Sequence, residues 1–294
     1  MVYVRPDFYD DFSCLAGGCK HSCCRGWEID IDDEALARWS RIGGELGAWL
    51  AAHIERKPTP HFILDEQERC PLLREDGLCR LILEQGEDSL CDICASHPRF
   101  YNEFDGRMEM GLGLCCEEAT RLLLAGRDHL RLLTEDDGAD PCPPEPIFEA
   151  REAVFRCLRR DELPLAERMR EALAAYGLTL TPFDGANMAR LYLSLERMDA
   201  AWTELLERLA ADAALAPVPE GMAWARLAEY FVYRHFAAAQ SRAEEGRRLR
   251  FCFRSVQMIA ALSAYVPIAE AARLYSAEIE YSDENVDKLL AQLE

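Results

Sequence analysis

Ten of the thirteen cysteines fall within the first 116 residues, and they fall in groups. Cys14 and Cys19 lead to the adjacent Cys23 and Cys24. Cys70 and Cys79 follow, then Cys91-x-x-Cys94, then Cys115 and Cys116. Soft thiolate sulfur selects zinc and iron–sulfur centres, so thiols concentrated this way mark a metal-organised region. A segment ordered by metal is freed from the apolar periodicity that regular elements need. The N-terminal part is therefore expected to be irregular.

Two plainer readings stand beside this one. Adjacent Cys23 and Cys24 are poorly placed to bridge each other, and clustered cysteines in a reducing compartment read as metal-binding rather than as a disulfide framework. Isolated buried thiols suit Cys142, Cys157 and Cys252, which stand apart from the groups. They do not suit Cys91-x-x-Cys94 flanked by Cys70 and Cys79, where a four-thiolate site is expected. Structural zinc and iron–sulfur clusters both accept four cysteines. His21 or His97 is a further candidate for a zinc site, although His97 before Pro98 also reads as a loop histidine.

The N-terminus, MVYVRPDFYDDF, carries acids and leads into no apolar run, so no secretory signal is expected. No stretch approaches the ~18 consecutive apolar residues of a membrane span. A cytoplasmic protein without a membrane partner is the expectation. The net charge of −20 argues against a nucleic-acid partner. Arg242, Arg247, Arg248, Arg250 and Arg254 form one basic run, read as a solvated helix face balanced by Glu244 and Glu245.

The expected fold class is mainly α, an irregular metal-organised cysteine-rich part followed by a helical bundle. The domains are set at 1–135 and 147–294. The linker is 134–146, TEDDGADPCPPEP, whose prolines and acidic turn residues interrupt any regular element. Asp32-Asp33 is expected to cap a helix running to Leu46, weakened at Gly43-Gly44. Residues 57–80 read as loop or short hairpin, and Phe100 to Met110 as a hairpin turning at Asp105-Gly106. A helix begins at Glu117. Later helices are expected over Ile147–Tyr176 (one or two), Ala186–Leu209, Trp224–Ala243 and Leu249–Tyr265. Two more start at Pro267 and behind Ser282. Met188, Met198, Trp202, Trp224, Tyr230 and Phe231 are assigned to the core.

Enzyme motifs are sparse. No Gly-rich loop joins a strand to a helix, so no dinucleotide or conventional methyltransferase fingerprint appears. Cys19 and Cys23 have the spacing that opens the Cys-x-x-x-Cys-x-x-Cys pattern of radical enzymes, but position 26 is glycine. No catalytic base is singled out.

Four segments taken together carry a resemblance: CKHSCCRGWEIDI from Cys19, CPLLREDGLCRL from Cys70, LCDICASHPR from Leu90 and CEEATRLLL from Cys116. In this order they resemble the flagellin lysine-N-methylase family and, more remotely, a wider cysteine-rich family described as zinc- or iron-chelating. His97 stands where that family usually has an aromatic residue, and Glu117 where it usually has proline. The resemblance implies a 4Fe-4S cluster (zinc as the alternative metal), S-adenosylmethionine as methyl donor, and methylation of lysine on a protein substrate such as flagellin. Carried over by position, it makes Cys19, Cys23, Cys24, Cys70, Cys79, Cys91, Cys94 and Cys116 the ligand candidates. Arg99, Phe100 and Tyr101, just beyond the Cys-x-x-Cys, are expected to line the donor pocket. The enzyme implied is a protein-lysine N-methyltransferase. The competing function classes are a zinc- or iron-chelating protein-interaction module and a redox protein without methylase activity.

Overall fold

A computed structural model describes residues 1–136, 138, 145–212 and 217–292. The chain folds into two compact units. The smaller, residues 13–100, is inserted into the larger, which comprises residues 1–12 and 101–294. The expected linker at 134–146 thus falls inside the larger unit, and most of it lies outside the described residues.

The chain opens with a strand, β1 (Val2–Pro6), where irregular structure was expected. In the smaller unit, α1 (Asp33–Trp39) and α2 (Gly44–Ala52) replace the single helix expected from Asp32 to Leu46. The break lies at Gly43-Gly44, and Gly44 takes a left-handed φ of 68° that other residues resist. Strands β2 (Ile54–Glu55) and β3 (His61–Phe62) form a short antiparallel pair, and α3 (Arg80–Gln85) and α4 (Asp92–Ser96) begin behind Cys79 and Cys91 as their N-caps. This unit has its own apolar core. Ile29, Ile31, Trp39, Leu46, Leu50, Phe62, Leu72 and Leu81 are buried together with Cys70 and Cys91, and the Trp39 and Phe62 rings stack at 5.5 Å. The segment therefore does not rest on metal alone for its order.

Strand β4 (Arg99–Phe104) crosses into the larger unit and turns at Asp105-Gly106 into β5 (Arg107–Leu112), the expected hairpin. Helix α5 (Glu117–Ala125) follows, then β6 (Leu132–Asp136). The sheet order is β4-β5-β1-β6, with β1 parallel to β5 and antiparallel to β6. Val4 is paired with Glu109 on one side and Thr134 on the other. Paired residues share a face and alternate residues return to it, so Val4, Arg107, Glu109, Leu132 and Thr134 all project from one side of the sheet.

The rest is helical: α6 (Pro146–Leu158), α7 (Leu165–Ala174), α8 (Gly185–Leu193), α9 (Ala200–Ala211), α10 (Met222–His235), α11 (Arg242–Leu262), α12 (Ile268–Tyr275) and α13 (Asp283–Gln292). The amphipathic stretch expected as one helix from Ala186 to Leu209 is two, because Asp199 opens a new helix by accepting from the Ala201 N–H at 2.8 Å. Met198, in the break between them, is 51% exposed rather than core. Helix α10 ends at His235, short of the expected Ala243, and α11 begins at Arg242, behind the Ser241 cap. Every residue from Phe251 to Leu262 is buried, as in a helix surrounded on all sides. Arg254, read as solvated, is buried there and donates to the Thr181 carbonyl and the Gln257 side chain. Arg242 and Arg248 do pair with Glu245 and Glu244. Pro267 and Ser282 precede the last two helices as expected, with a π-helical turn, Ser276–Glu280, between them. The architecture is mainly α, with a small mixed sheet.

Candidate functional site: a group of converging thiols

The smaller unit brings cysteines from four places in its sequence together. The Cys70 N–H donates to the Cys24 carbonyl at 2.9 Å, within an antiparallel bridge between Arg25 and Arg69, so Cys24 and Cys70 lie side by side. Cys79 returns to this point through a tight turn. Gly77 sits at its tip with φ 78°, the Asp76 carboxylate takes the Arg74 guanidinium at 2.8 Å, and Arg80 N–H closes onto the Leu72 carbonyl. The turn packs against Gly17 so closely that a methyl group there would meet the Asp76 carbonyl at 2.7 Å. The segment that carries Cys14 and Cys19 is thereby pressed onto the Cys70–Cys79 loop.

Cys91 and Cys94 bracket the first turn of α4. The Asp32 carboxylate fixes that turn: one oxygen caps α1 by accepting from Ala35 N–H at 2.7 Å, and the other accepts from Asp92 N–H at 2.8 Å. Partial burial works against the charge, yet these backbone donors hold the Asp32 carboxyl below its ordinary range. One side chain thus ties two helix N-termini together and places the Cys-x-x-Cys turn.

Cys24, Cys70, Cys79, Cys91 and Cys94 stand near enough to shape one another's ionisation. Burial pushes the Cys70 thiol up to about 12, and negative charge on Cys24, Cys79 and Cys91 adds to the rise. Cys79 is raised for the same reasons, burial first. Within the Cys91–Cys94 pair, the hydrogen bond between the thiols favours the thiolate on Cys91 and raises Cys94, where burial and neighbouring thiolates act in the same sense. A hydrogen bond from Cys23 brings Cys24 down to about 7, against the opposing effect of burial. Cys24 and Cys91 favour the thiolate while Cys70, Cys79 and Cys94 are raised by burial and by those neighbouring charges, a donor set that a soft cation relieves. In chemistry the set fits a thiolate-bound centre. Among the described residues, however, no three His, Cys, Asp or Glu side chains are gathered at the spacing of ligands to a metal ion.

The other expected residues are placed as follows. Cys23 is exposed and Cys19 half-buried, both in the smaller unit. Cys116 lies in the larger unit as the N-cap of α5, beside Cys115, whose thiol burial pushes up to about 12. His97 ends α4, and burial brings its pKa down to about 4, so the imidazole is neutral; its ring lies 6.0 Å from Trp27. Arg99, Phe100 and Tyr101 are successive residues of β4, with Tyr101 50% exposed. Cys252 is fully buried on α11 with its thiol toward the Phe231 carbonyl, and Cys157 is half-buried on α6. Cys142 lies outside the described residues. Sequence reasoning missed Asp32 as the residue that fixes Cys91. The signal was present, an aspartate before a helix, but its second acceptor role depends on the tertiary fold.

The chain is similar to the lysine-N-methylases of Salmonella choleraesuis (strain SC-B67) and Salmonella typhimurium (strain LT2), at 26% identity over 217 residues with each. The match covers 71% of this chain and 54% of each relative, so the chain spans about half the length of the curated lysine-N-methylases it matches. It is also 28% identical over 139 residues to a flagellar biosynthetic protein, FliU, of Salmonella muenchen, covering 45% of this chain and 82% of that one. The resemblance read from the cysteine segments is thus met by proteins of that name. No protein-family model matches the chain, and no solved structure does.

Proposed function

We propose that the chain is a protein-lysine N-methyltransferase that uses S-adenosylmethionine, holds an iron–sulfur cluster in its cysteine-rich unit, and acts on flagellin-like proteins. The convergence of Cys24, Cys70, Cys79, Cys91 and Cys94 carries the metal part of this reading. The similarity to proteins named lysine-N-methylase supports the activity. Four of these five cysteines would hold the cluster, with Cys19 and Cys23 in the same unit as further candidates. In a cluster each thiolate binds its own iron, so the sulfurs need not meet at one point as around a single zinc ion.

Bound there, a cluster would supply a soft metal centre for these thiols. In the transfer itself the sulfonium–methyl bond breaks as the lysine nitrogen–carbon bond forms. Sulfur keeps the electron pair, and the lysine must first give up a proton. The chain's part is to align the neutral amine with the methyl group and keep water away. Arg99, Phe100 and Tyr101, which follow the Cys91–Cys94 turn on β4, are the proposed contacts to the donor. The acidic surface favours encounter with a lysine-bearing partner. No helix among the described residues is long and apolar enough to cross a membrane.

The test is oxygen-free reconstitution followed by iron, sulfide and zinc analysis, then incubation with labelled S-adenosylmethionine and flagellin. The expected result is bound iron and sulfide and a methyl-sized mass gain on lysine that Cys94→Ser abolishes. A fully loaded protein that neither binds the donor nor methylates lysine would move the assignment to a chelating module.

A further inference from the structure

The larger unit contains a cleft of about 550 Å³, open to solvent, between the sheet and α6. Val4, Arg107, Leu132 and Thr134 line it from the sheet, and Phe148, Glu149, Arg151, Glu152 and Arg156 from the helix. The register explains the floor, because the four sheet residues share the face that α6 covers.

Beneath the cleft, Glu109 is fully buried and serves two guanidiniums. Arg151 takes both its oxygens at 2.6 Å, and Arg107 Nε takes one of them at 2.7 Å. One carboxylate against two arginines leaves a positive charge over. Arg107 is the arginine that reaches the cleft: its side chain is 20% exposed and its guanidinium lies 4.0 Å from the centre of the Phe148 ring. With Nε and Nη2 turned to Glu109, its Nη1 has no partner among the described residues. The rim has the opposite character. Glu149 and Glu152 stand on the exposed side of α6 with Arg156, and none of the three side chains is engaged by another described residue.

A surplus cation at the floor disfavours a purely cationic ligand, and two rim carboxylates disfavour a dianion such as phosphate. A ligand carrying both charges satisfies both ends. We propose that this cleft binds an α-amino-acid head group. Its carboxylate lies between Arg107 and Arg156, its ammonium group faces Glu149 and Glu152, and its side chain lies along Val4, Leu132 and Phe148. Two sources present that chemistry, a free amino acid and the methionine end of S-adenosylmethionine. The assignment rests on the cleft's own charges and stands whether or not the chain transfers methyl groups.

Calorimetry on the full chain tests it with L-methionine, S-adenosylmethionine, methylthioadenosine, which lacks the head group, and inorganic phosphate. Arg156→Gln and Glu152→Gln are made on the exposed face of α6, with thermal unfolding to show that the fold is kept. Loss of a charge-assisted contact should weaken head-group binding roughly tenfold or more in each variant. Methylthioadenosine and phosphate should not compete. Methionine binding that depends on both residues, without binding of S-adenosylmethionine, identifies a free amino acid as the occupant and leaves methyl transfer without its donor. Parallel weakening of both ligands identifies the methyl donor and moves its head group from Arg99, Phe100 and Tyr101 to this cleft. Donor binding untouched by either variant, with no methionine binding, overturns the cleft assignment and leaves the methyltransferase reading standing. Displacement by phosphate, or no binding of either head-group ligand, also overturns it.

Discussion

Arg151 holds Glu109 through two parallel hydrogen bonds of 2.6 Å, and both side chains are sealed from water at 1% and 0% exposure. The pair joins α6 to the central sheet, and Arg151 also donates to the Tyr233 carbonyl on α10. Breaking such a pair from one side leaves a buried charge without a partner, which costs more than the pair contributes when intact. Glu109→Gln should therefore destabilise the protein by about 3–5 kcal/mol in denaturant titration. Glu109→Leu combined with Arg151→Met should recover most of the loss, since Arg107 can turn to solvent. A double variant no better than the single one would mean that the pair is worth keeping for its own bond energy.

The thiols make separable predictions. In reconstituted protein, Cys70→Ser, Cys91→Ser and Cys94→Ser should each strip metal or bleach the absorption. Cys157→Ala and Cys252→Ala should keep it, because one sits on α6 and the other is enclosed by the helical core. Metal content per chain is the readout. Full retention in both Cys91→Ser and Cys94→Ser would remove the Cys-x-x-Cys turn from the site.

Asp32 is expected to matter beyond its own helix. Asp32→Ala removes two backbone caps and should cost about 1–2 kcal/mol. Because one of those caps closes the Cys91–Cys94 turn, alkylation of these two thiols in metal-free protein should quicken in the same variant. Asp32→Asn, which keeps one acceptor oxygen, should fall between. Unchanged labelling of Cys94 in Asp32→Ala would limit Asp32 to capping α1.

His129 gives the larger unit a pH-dependent tie. Its hydrogen bond to Glu229, at 3.1 Å, and the nearby Asp161 raise its pKa above 6.5, while burial opposes the shift. A histidine whose folded pKa is raised takes up a proton on folding. Its contribution is complete below pH 6.5 and is lost as pH rises through the folded value. The difference in melting temperature between the native chain and His129→Gln should therefore shrink as pH rises from below 6.5 into the alkaline range. A difference that holds constant across that range would show that the imidazole acts in its neutral form.

Local signals in the sequence located the β4–β5 hairpin through Asp105-Gly106, the start of α5 at Cys116-Glu117, and the helices behind Pro267 and Ser282. Each has a short-range cause, a turn pair or a cap. The strand β1 was hidden because its partners are far away: Val4 pairs with Glu109 and Thr134, and five residues of mixed polarity give no periodic signal of their own. The split between α8 and α9 was hidden for the reverse reason, since leucines at helical spacing continue past a break set by Asp199. At the candidate site, the spacing of Cys70, Cys79, Cys91 and Cys94 pointed to convergence. Which early cysteine would join them depended on the bridge between Arg25 and Arg69, and that bridge chose Cys24. The cleft beneath α6 left no trace as a motif, because its charges come from β5 and α6, about forty positions apart, and meet only through the sheet register.

The insertion of residues 13–100 into the larger unit sets an order of events for the chain. Strand β1 is made before either of its neighbours, Arg107–Leu112 and Leu132–Asp136, exists. The entropy of closing that long loop falls if the intervening chain is already compact. The cysteine-rich unit has its own core of Ile29, Trp39, Leu50 and Phe62 with which to become so. How soon that core closes thus sets how readily β1 finds its place inside the sheet.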